Sequence, residues 1–174
     1  MKEKVLQALT TRRSVRSYQK TQVDEQALQE ILEAGRYAAT GRGLQSPLMI
    51  VVQDTDVREQ LRRMNAEIMG TPDADPFYGA PTIIIVLADR SVPTCVEDGS
   101  LVLGNLMNAA HAVGVDSCWI HRARQEFESE EGKALLRRLG IEGDYIGVGH
   151  LILGDRDGEL PSPKPRKQNY VYRL

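Results

Sequence analysis

Residues 81–88 read Pro-Thr-Ile-Ile-Ile-Val-Leu-Ala, and four of the five from Ile83 to Leu87 are β-branched. An apolar run of this length without polar alternation is a strand that must be covered on both faces. The chain is thereby committed to a layered fold with helices above and below a sheet. The remaining sequence supplies the cover. Val5, Leu6 and Leu9 share one face of a first helix over 2–11, and Asp24 is placed to cap a second over 25–39, with Leu28, Ile31, Leu32 and Tyr37 spaced for burial. Val57, Leu61, Met64 and Ile68 stripe a helix over 56–69 that Gly70 stops; helices over 97–113 and 128–139 end at Gly114 and Gly140. Further strands are expected over 48–52, 116–121 and 146–153. Residues 71–79, with Pro72 and Pro76, read as a surface loop or lid. This order predicts one α+β domain over 1–174, a mixed, mainly antiparallel sheet flanked by helices. Residues 160–174 carry Pro161, Pro163 and Pro165 and form an extended tail, with a final strand over 170–174. An extended tail bearing tyrosines needs something to pair with, and a second subunit is the natural partner.

At 174 residues, 41% hydrophobic and 26% charged, the chain is an ordinary globular protein able to bury a core without disulfide or metal. No apolar stretch approaches the roughly 20 residues needed to cross a bilayer. Neither G-x-G-x-x-G nor G-x-x-x-x-G-K-[ST] occurs, which disfavours Rossmann and P-loop readings. Two cysteines, Cys95 and Cys118, and a first segment without a secretory h-region lead to the expectation of a reducing cytoplasm.

The net charge of −2 conceals a lopsided distribution. Residues 1–20 carry +5 and residues 160–174 carry +4, leaving −11 for the middle. If the fold brings the ends together they form a site for a multiply charged anion, most simply a phosphate, since forked guanidinium groups match its oxygens. Two solvated basic tails are the alternative. Nucleic acid is disfavoured, because the body is acidic and no basic stripe is interleaved with aromatics. Within the first end, Arg12, Arg13, Ser14 and Arg16 place three guanidinium groups and a hydroxyl within five residues; within the second, Lys164 and Arg166 flank Pro165 and share one side of an extended segment. Thr40, Gly41, Arg42 and Gln45 belong to a glycine-bearing loop that permits close backbone approach to a flat ligand. His111 sits in an apolar helix and reads as a core histidine, Cys118 as a buried thiol, and no metal is expected.

Taken in order, these elements resemble the flavin-dependent nitroreductase family. Arg12-Arg13-Ser14-Val15-Arg16 is similar to its R-[RH]-S-x-[RK] opening. Residues 39–47 are similar to its P-S-x-x-N-x-Q-P-W loop, residues 114–120 (Gly-Val-Asp-Ser-Cys-Trp-Ile) to its G-x-G-S-C-W-I strand, and Gly154 with Lys164 to Lys167 to its closing tail. The resemblance implies an FMN-binding α+β sandwich working as an intertwined homodimer, the tail swapped onto the partner. Arg12, Arg13, Ser14 and Arg16 would hold the FMN phosphate, ribityl chain and pyrimidine edge, with Lys164 and Arg166 at the phosphate. Thr40, Gly41, Arg42 and Gln45 would approach from the other subunit, Ile120 and His121 would lie near the ring, and Asn65 would touch the pyrimidine. The implied activity is reduction of a small organic acceptor (a nitroaromatic, quinone or similar) by NADH or NADPH in a ping-pong reaction, with His121 as candidate proton donor and no other catalytic side chain. Dehalogenation, enone reduction and a non-enzymatic flavin sensor are the alternatives. The family's Pro-Ser is Ala39-Thr40 here, its Pro-Trp is Ser46-Pro47, and the glycine that often follows Trp-Ile is His121. These departures lie where an acceptor would stack.

Overall fold

The structure is a computed structural model and describes residues 2–174. Its elements are α1 (Lys2–Thr11), α2 (Glu25–Arg36), β1 (Pro47–Val52), α3 (Thr55–Met69), β2 (Thr82–Asp89), α4 (Cys95–Ala112), β3 (Asp116–Ile120), α5 (Ala123–Glu128), α6 (Glu130–Arg138) and β4 (Tyr145–Gly154). The four strands form one sheet in the order β1-β2-β4-β3, and every ladder is antiparallel. The parallel component is a single bridge between Ser14 and Ser117 on the outer edge of β3.

The isoleucine run is β2, and its residues from Ile83 to Ala88 are at most 2% exposed. Alternation divides them between two cores. Ile83, Ile85 and Leu87 pack with Leu61 and Met64 of α3, Phe127 of α5 and Leu135 and Leu136 of α6. Ile84, Val86 and Ala88 face Leu28 and Ile31 of α2 and Leu103 and Leu106 of α4. On β4 the register slips opposite Val86 and Leu87, and a Cβ on Gly147 would fall 2.1 Å from the Ala123 carbonyl oxygen. Glycine there lets α5 lie directly on the sheet, which brings a helical carboxylate within reach of a strand histidine.

Three local expectations differ from what forms, and a fourth gains detail. Helix α2 stops at Arg36, so Tyr37 leaves the apolar stripe and is 80% exposed. The helix expected over 128–139 is two helices: the Ser129 hydroxyl donates to Glu126 O at 2.6 Å and accepts from Gly132 N–H at 3.1 Å, closing one and capping the next. Residues 71–79 form the expected surface loop, and it is clamped from within. Asp75 accepts from Phe77 N–H, Gly79 N–H and Arg58 Nη2, and Phe77 is fully buried with its ring edge-on to His150 at 5.4 Å. Residues 170–174 form no strand within this chain and are exposed.

Candidate functional site

After α1 the chain runs along the free edge of β3, where Val15 N–H donates to Ser117 O at 3.1 Å. Arg12, Ser14 and Arg16 consequently gather around Cys118. Burial pushes the Cys118 thiol above its ordinary range, and the opposing influence of Arg16, the Ser14 hydroxyl and Arg12 does not cancel it. This thiol is packing, not a nucleophile. The Arg13 guanidinium is held by Nη1 donating to Thr10 O at 3.0 Å and Arg12 O at 2.8 Å. Its Nε, Arg12 Nη1 and Ser117 Oγ are buried without any hydrogen-bond partner. Each such orphan costs about 1–3 kcal/mol, a cost that an anion with several oxygen acceptors removes. Orphaned guanidinium donors of this kind match the chemistry of a phosphate.

The root of the basic tail is fastened to the same place. Asp157 N–H donates to Ser17 O and Gln19 N–H to Asp155 O, both at 2.9 Å, while Arg156 pairs with Asp116 at 2.9 Å. Lys164 and Arg166 are exposed, and Lys164 is seven residues beyond Asp157. Extended chain spans about 23 Å over that interval, enough to return to the Arg12–Arg16 cluster or to cross to a neighbouring molecule.

Thr40, Gly41, Arg42 and Gln45 lie elsewhere. Their loop feeds the start of β1, on the opposite edge of the sheet from β3 and near its opposite end: Pro47 shares a row with Ala88 and Ile146, whereas Ser117 shares one with Leu153 and Thr82. Three strand spacings, about 14 Å, and roughly 20 Å along the strands separate these corners. One protomer thus does not bring the two sets together. The loop is nonetheless a built feature. Asp98, 2% exposed on α4, accepts from Gly41 N–H at 2.8 Å, Ser46 Oγ at 3.0 Å and Thr94 Oγ at 3.2 Å. A Cβ at Gly41 would stand 2.3 Å from Thr94 Oγ. Arg42 (φ 56°) and Gln45 (φ 51°) adopt the left-handed conformation, at about 1 kcal/mol each for a non-glycine residue. Arg36, Tyr37, Thr40, Gln45 and Met49 line a cavity beside it.

At the far end of β3, Ile120 is buried, His121 exposed, and Arg122 left-handed at φ 80°. Asn65 is fully buried beneath this turn. Its Nδ2 donates to His121 O at 2.9 Å and to the Glu126 carboxylate, and its Oδ1 accepts from Arg122 Nε at 2.8 Å. Glu126 also accepts from His150 Nε2 at 2.8 Å, with both side chains inaccessible to solvent. Asn65 is thus held within a polar network behind the His121–Arg122 turn.

Sequence reasoning missed Asp98, Glu126, His150 and Arg122. For Asp98 a partial signal existed, since it follows Glu97 at the start of a largely apolar helix. Glu126 and His150 meet across separate elements and have no local signature.

The single antiparallel sheet with helices on both faces and a cationic edge defines a three-layered α+β fold. A model of the nitroreductase family matches residues 9–155. The chain belongs to the nitroreductase family. A protein of Archaeoglobus fulgidus assigned as NADH dehydrogenase/NAD(P)H nitroreductase is 31% identical, covering 87% of this chain and 85% of that one. A Methanothermobacter thermautotrophicus protein of the same name is 32% identical over 66% of this chain, and that match spans 59% of the relative's own length. A Bacteroides fragilis nitroreductase solved with bound FMN superposes with a TM-score of 0.89 at 28% identity, covering 98% of each chain.

Proposed function

We infer that this chain is an FMN-dependent oxidoreductase that takes electrons from NADH or NADPH and delivers them to a small organic acceptor such as a nitroaromatic or a quinone, the two substrates alternating at one site. The observation that carries this reading is the pair of buried, unpartnered guanidinium nitrogens of Arg12 and Arg13, set in a family whose solved members include one with FMN bound. Bound FMN would supply reversible uptake and release of a hydride equivalent at its ring.

The residues do the rest. Arg12, Arg13 and Ser14 would bind the phosphate, joined by Lys164 and Arg166 from the tail, and Arg16 would place positive charge toward the ring, favouring its reduced, anionic state. Ile120 and the His121 backbone would face the ring, and the exposed His121 side chain could donate a proton to the acceptor. Thr40, Gly41, Arg42 and Gln45 would close the opposite side from a second copy of the chain. Two observations support such a homodimer. The two sets of residues lie at opposed corners of one protomer. In addition, α1 leaves Val5, Leu6 and Leu9 more than half exposed beside a cavity of about 770 Å³ between α1 and α4. The tail after Gly158 would lie on the partner. Among the described residues no helix is long and apolar enough to cross a membrane, and a cytoplasmic enzyme fits the reducing agents it would use.

The test is the visible spectrum of the purified protein, recorded anaerobically before and after NADH or NADPH. Flavin absorption that bleaches and returns on adding a nitroaromatic or quinone is the expected result. Protein that carries no flavin and fails to take up added FMN would overturn the reading.

A further inference from the structure

Arg122 combines three features: no paired carboxylate among the described residues, a clamped side chain and a left-handed backbone. Arg58, Arg62, Arg90 and Arg156 each pair with a carboxylate. Arg122 is half-buried, and among the described residues no carboxylate lies within salt-bridge distance of it. The nearest in sequence on its own helix, Glu126, is already engaged by His150 and Asn65. The Arg122 guanidinium is nevertheless fixed, because Nε donates to Asn65 Oδ1 at 2.8 Å and Asn65 is itself locked by Glu126 and the His121 carbonyl. Only Nε is used; the terminal nitrogens meet no protein acceptor and are not among the buried orphans, so they face outward. The backbone beneath is in the left-handed region at φ 80°, where an arginine is strained and a glycine or asparagine is not. A strained backbone, a clamped side chain and an uncompensated charge thus coincide on one residue, adjacent to the exposed His121.

We propose that Arg122 is the specificity-determining residue of the acceptor site, receiving the carboxylate of an anionic aromatic acceptor through its outward-facing guanidinium edge. This rests on the flavin reading above, which puts Ile120 and His121 against the ring. The two terminal nitrogens of a guanidinium match a carboxylate in a paired geometry that a lysine cannot reproduce. Because Asn65 already holds the fork, little side-chain freedom is lost when the acceptor docks. His121, the candidate proton donor, is the neighbouring residue, so anchor and donor share one turn.

The experiment compares two nearly isosteric aromatic ligands, 4-nitrobenzoate and 4-nitrobenzamide. Binding to the full-length protein is measured by calorimetry, and turnover with NADH or NADPH is measured in parallel. The variants are Arg122→Asn, which keeps the left-handed backbone and deletes the charge, and Arg122→Lys, which keeps the charge and deletes the fork. The wild type is expected to favour the carboxylate by about tenfold in Kd and in kcat/KM. Arg122→Asn should collapse that ratio toward one, and Arg122→Lys should restore only part of it. A wild type that binds both ligands equally, or a preference that survives in Arg122→Asn, overturns the proposal. The flavin spectrum is recorded on the same samples: protein that never binds FMN overturns the flavin reading, while the calorimetric ratio still decides whether Arg122 is an anion site.

Discussion

Removing the Asp98 carboxylate tests how the loop half of the site is built. In the native protein it accepts from Gly41 N–H, Ser46 Oγ and Thr94 Oγ at 2.8, 3.0 and 3.2 Å, from a position only 2% exposed. Hydrogen bonds to a charged group contribute about 1.5–3 kcal/mol each, but the same carboxylate lost solvation on burial, so the net effect of Asp98→Ala is a destabilisation of about 2–4 kcal/mol. Asp98→Asn should cost only about 1 kcal/mol, because the Ser46 and Thr94 hydroxyls can turn to accept from the new amide while its oxygen still serves Gly41. The two variants separate further in ligand binding. Arg42 and Gln45 are held left-handed, and without the anchor the loop relaxes out of that conformation. Asp98→Ala is therefore expected to weaken FMN binding about tenfold or more, with Asp98→Asn close to wild type. Urea denaturation gives the stability and quenching of flavin fluorescence gives the affinity. Equal stability loss in both variants would refute the hydrogen-bond accounting, and an Asp98→Ala protein that unfolds early but binds FMN normally would refute the link between anchor and site.

Three further outcomes follow from the geometry. Arg12→Ala combined with Arg13→Ala removes the orphaned donors and should lower FMN affinity at least about a hundredfold, measured by flavin content after dialysis; retention of stoichiometric flavin would move the phosphate elsewhere. Burial raises the Asp75 carboxyl, but the Arg58 pair and the Phe77 and Gly79 amides outweigh it and hold its pKa below the usual value. Its contribution is present above the unfolded pKa and disappears as pH falls through the lower folded value. The difference in melting temperature between wild type and Asp75→Asn should be largest near neutrality and shrink as the pH falls below the usual carboxylate range, and a pH-independent difference would contradict this. Since burial raises Cys118, iodoacetamide at pH 8 should alkylate it far more slowly than a free thiol, as followed by mass spectrometry, unless the protein is first unfolded.

What could be read from the chain alone was whatever rests on local pattern. The isoleucine run, the Asp24 cap, Gly70 closing α3 and the arginine cluster after α1 all depend on neighbours in sequence, and each appears where expected. Residues 155–157, which lead into the basic tail, are fastened to residues 17–19, while Lys164 and Arg166 themselves are exposed. What escaped depends on elements far apart. Nothing in the spacing of Asn65, Glu126 and His150 shows that they meet, because that meeting requires α3 and α5 to pack on the same face of β4 and Gly147 to admit α5. The turn-rich 71–79 segment was legible as a surface loop, but its clamp on Asp75 and Arg58 was not. Tyr37 was misread through the length of one helix.

The central claim is that one flavin site is assembled from two protomers, with the arginine cluster of one facing the glycine loop of the other. Its most direct measurement is complementation between Arg12→Ala/Arg13→Ala protein and Gly41→Leu protein, whose added side chain must displace the loop from Thr94. Each alone should bind little FMN. Unfolded together and refolded as an equal mixture, half of the dimers are hybrids, and each hybrid carries one site with both halves intact. The account predicts recovery of about a quarter of wild-type flavin and activity. No recovery from a mixture that forms hybrids would place both halves of the site in the same protomer and contradict it.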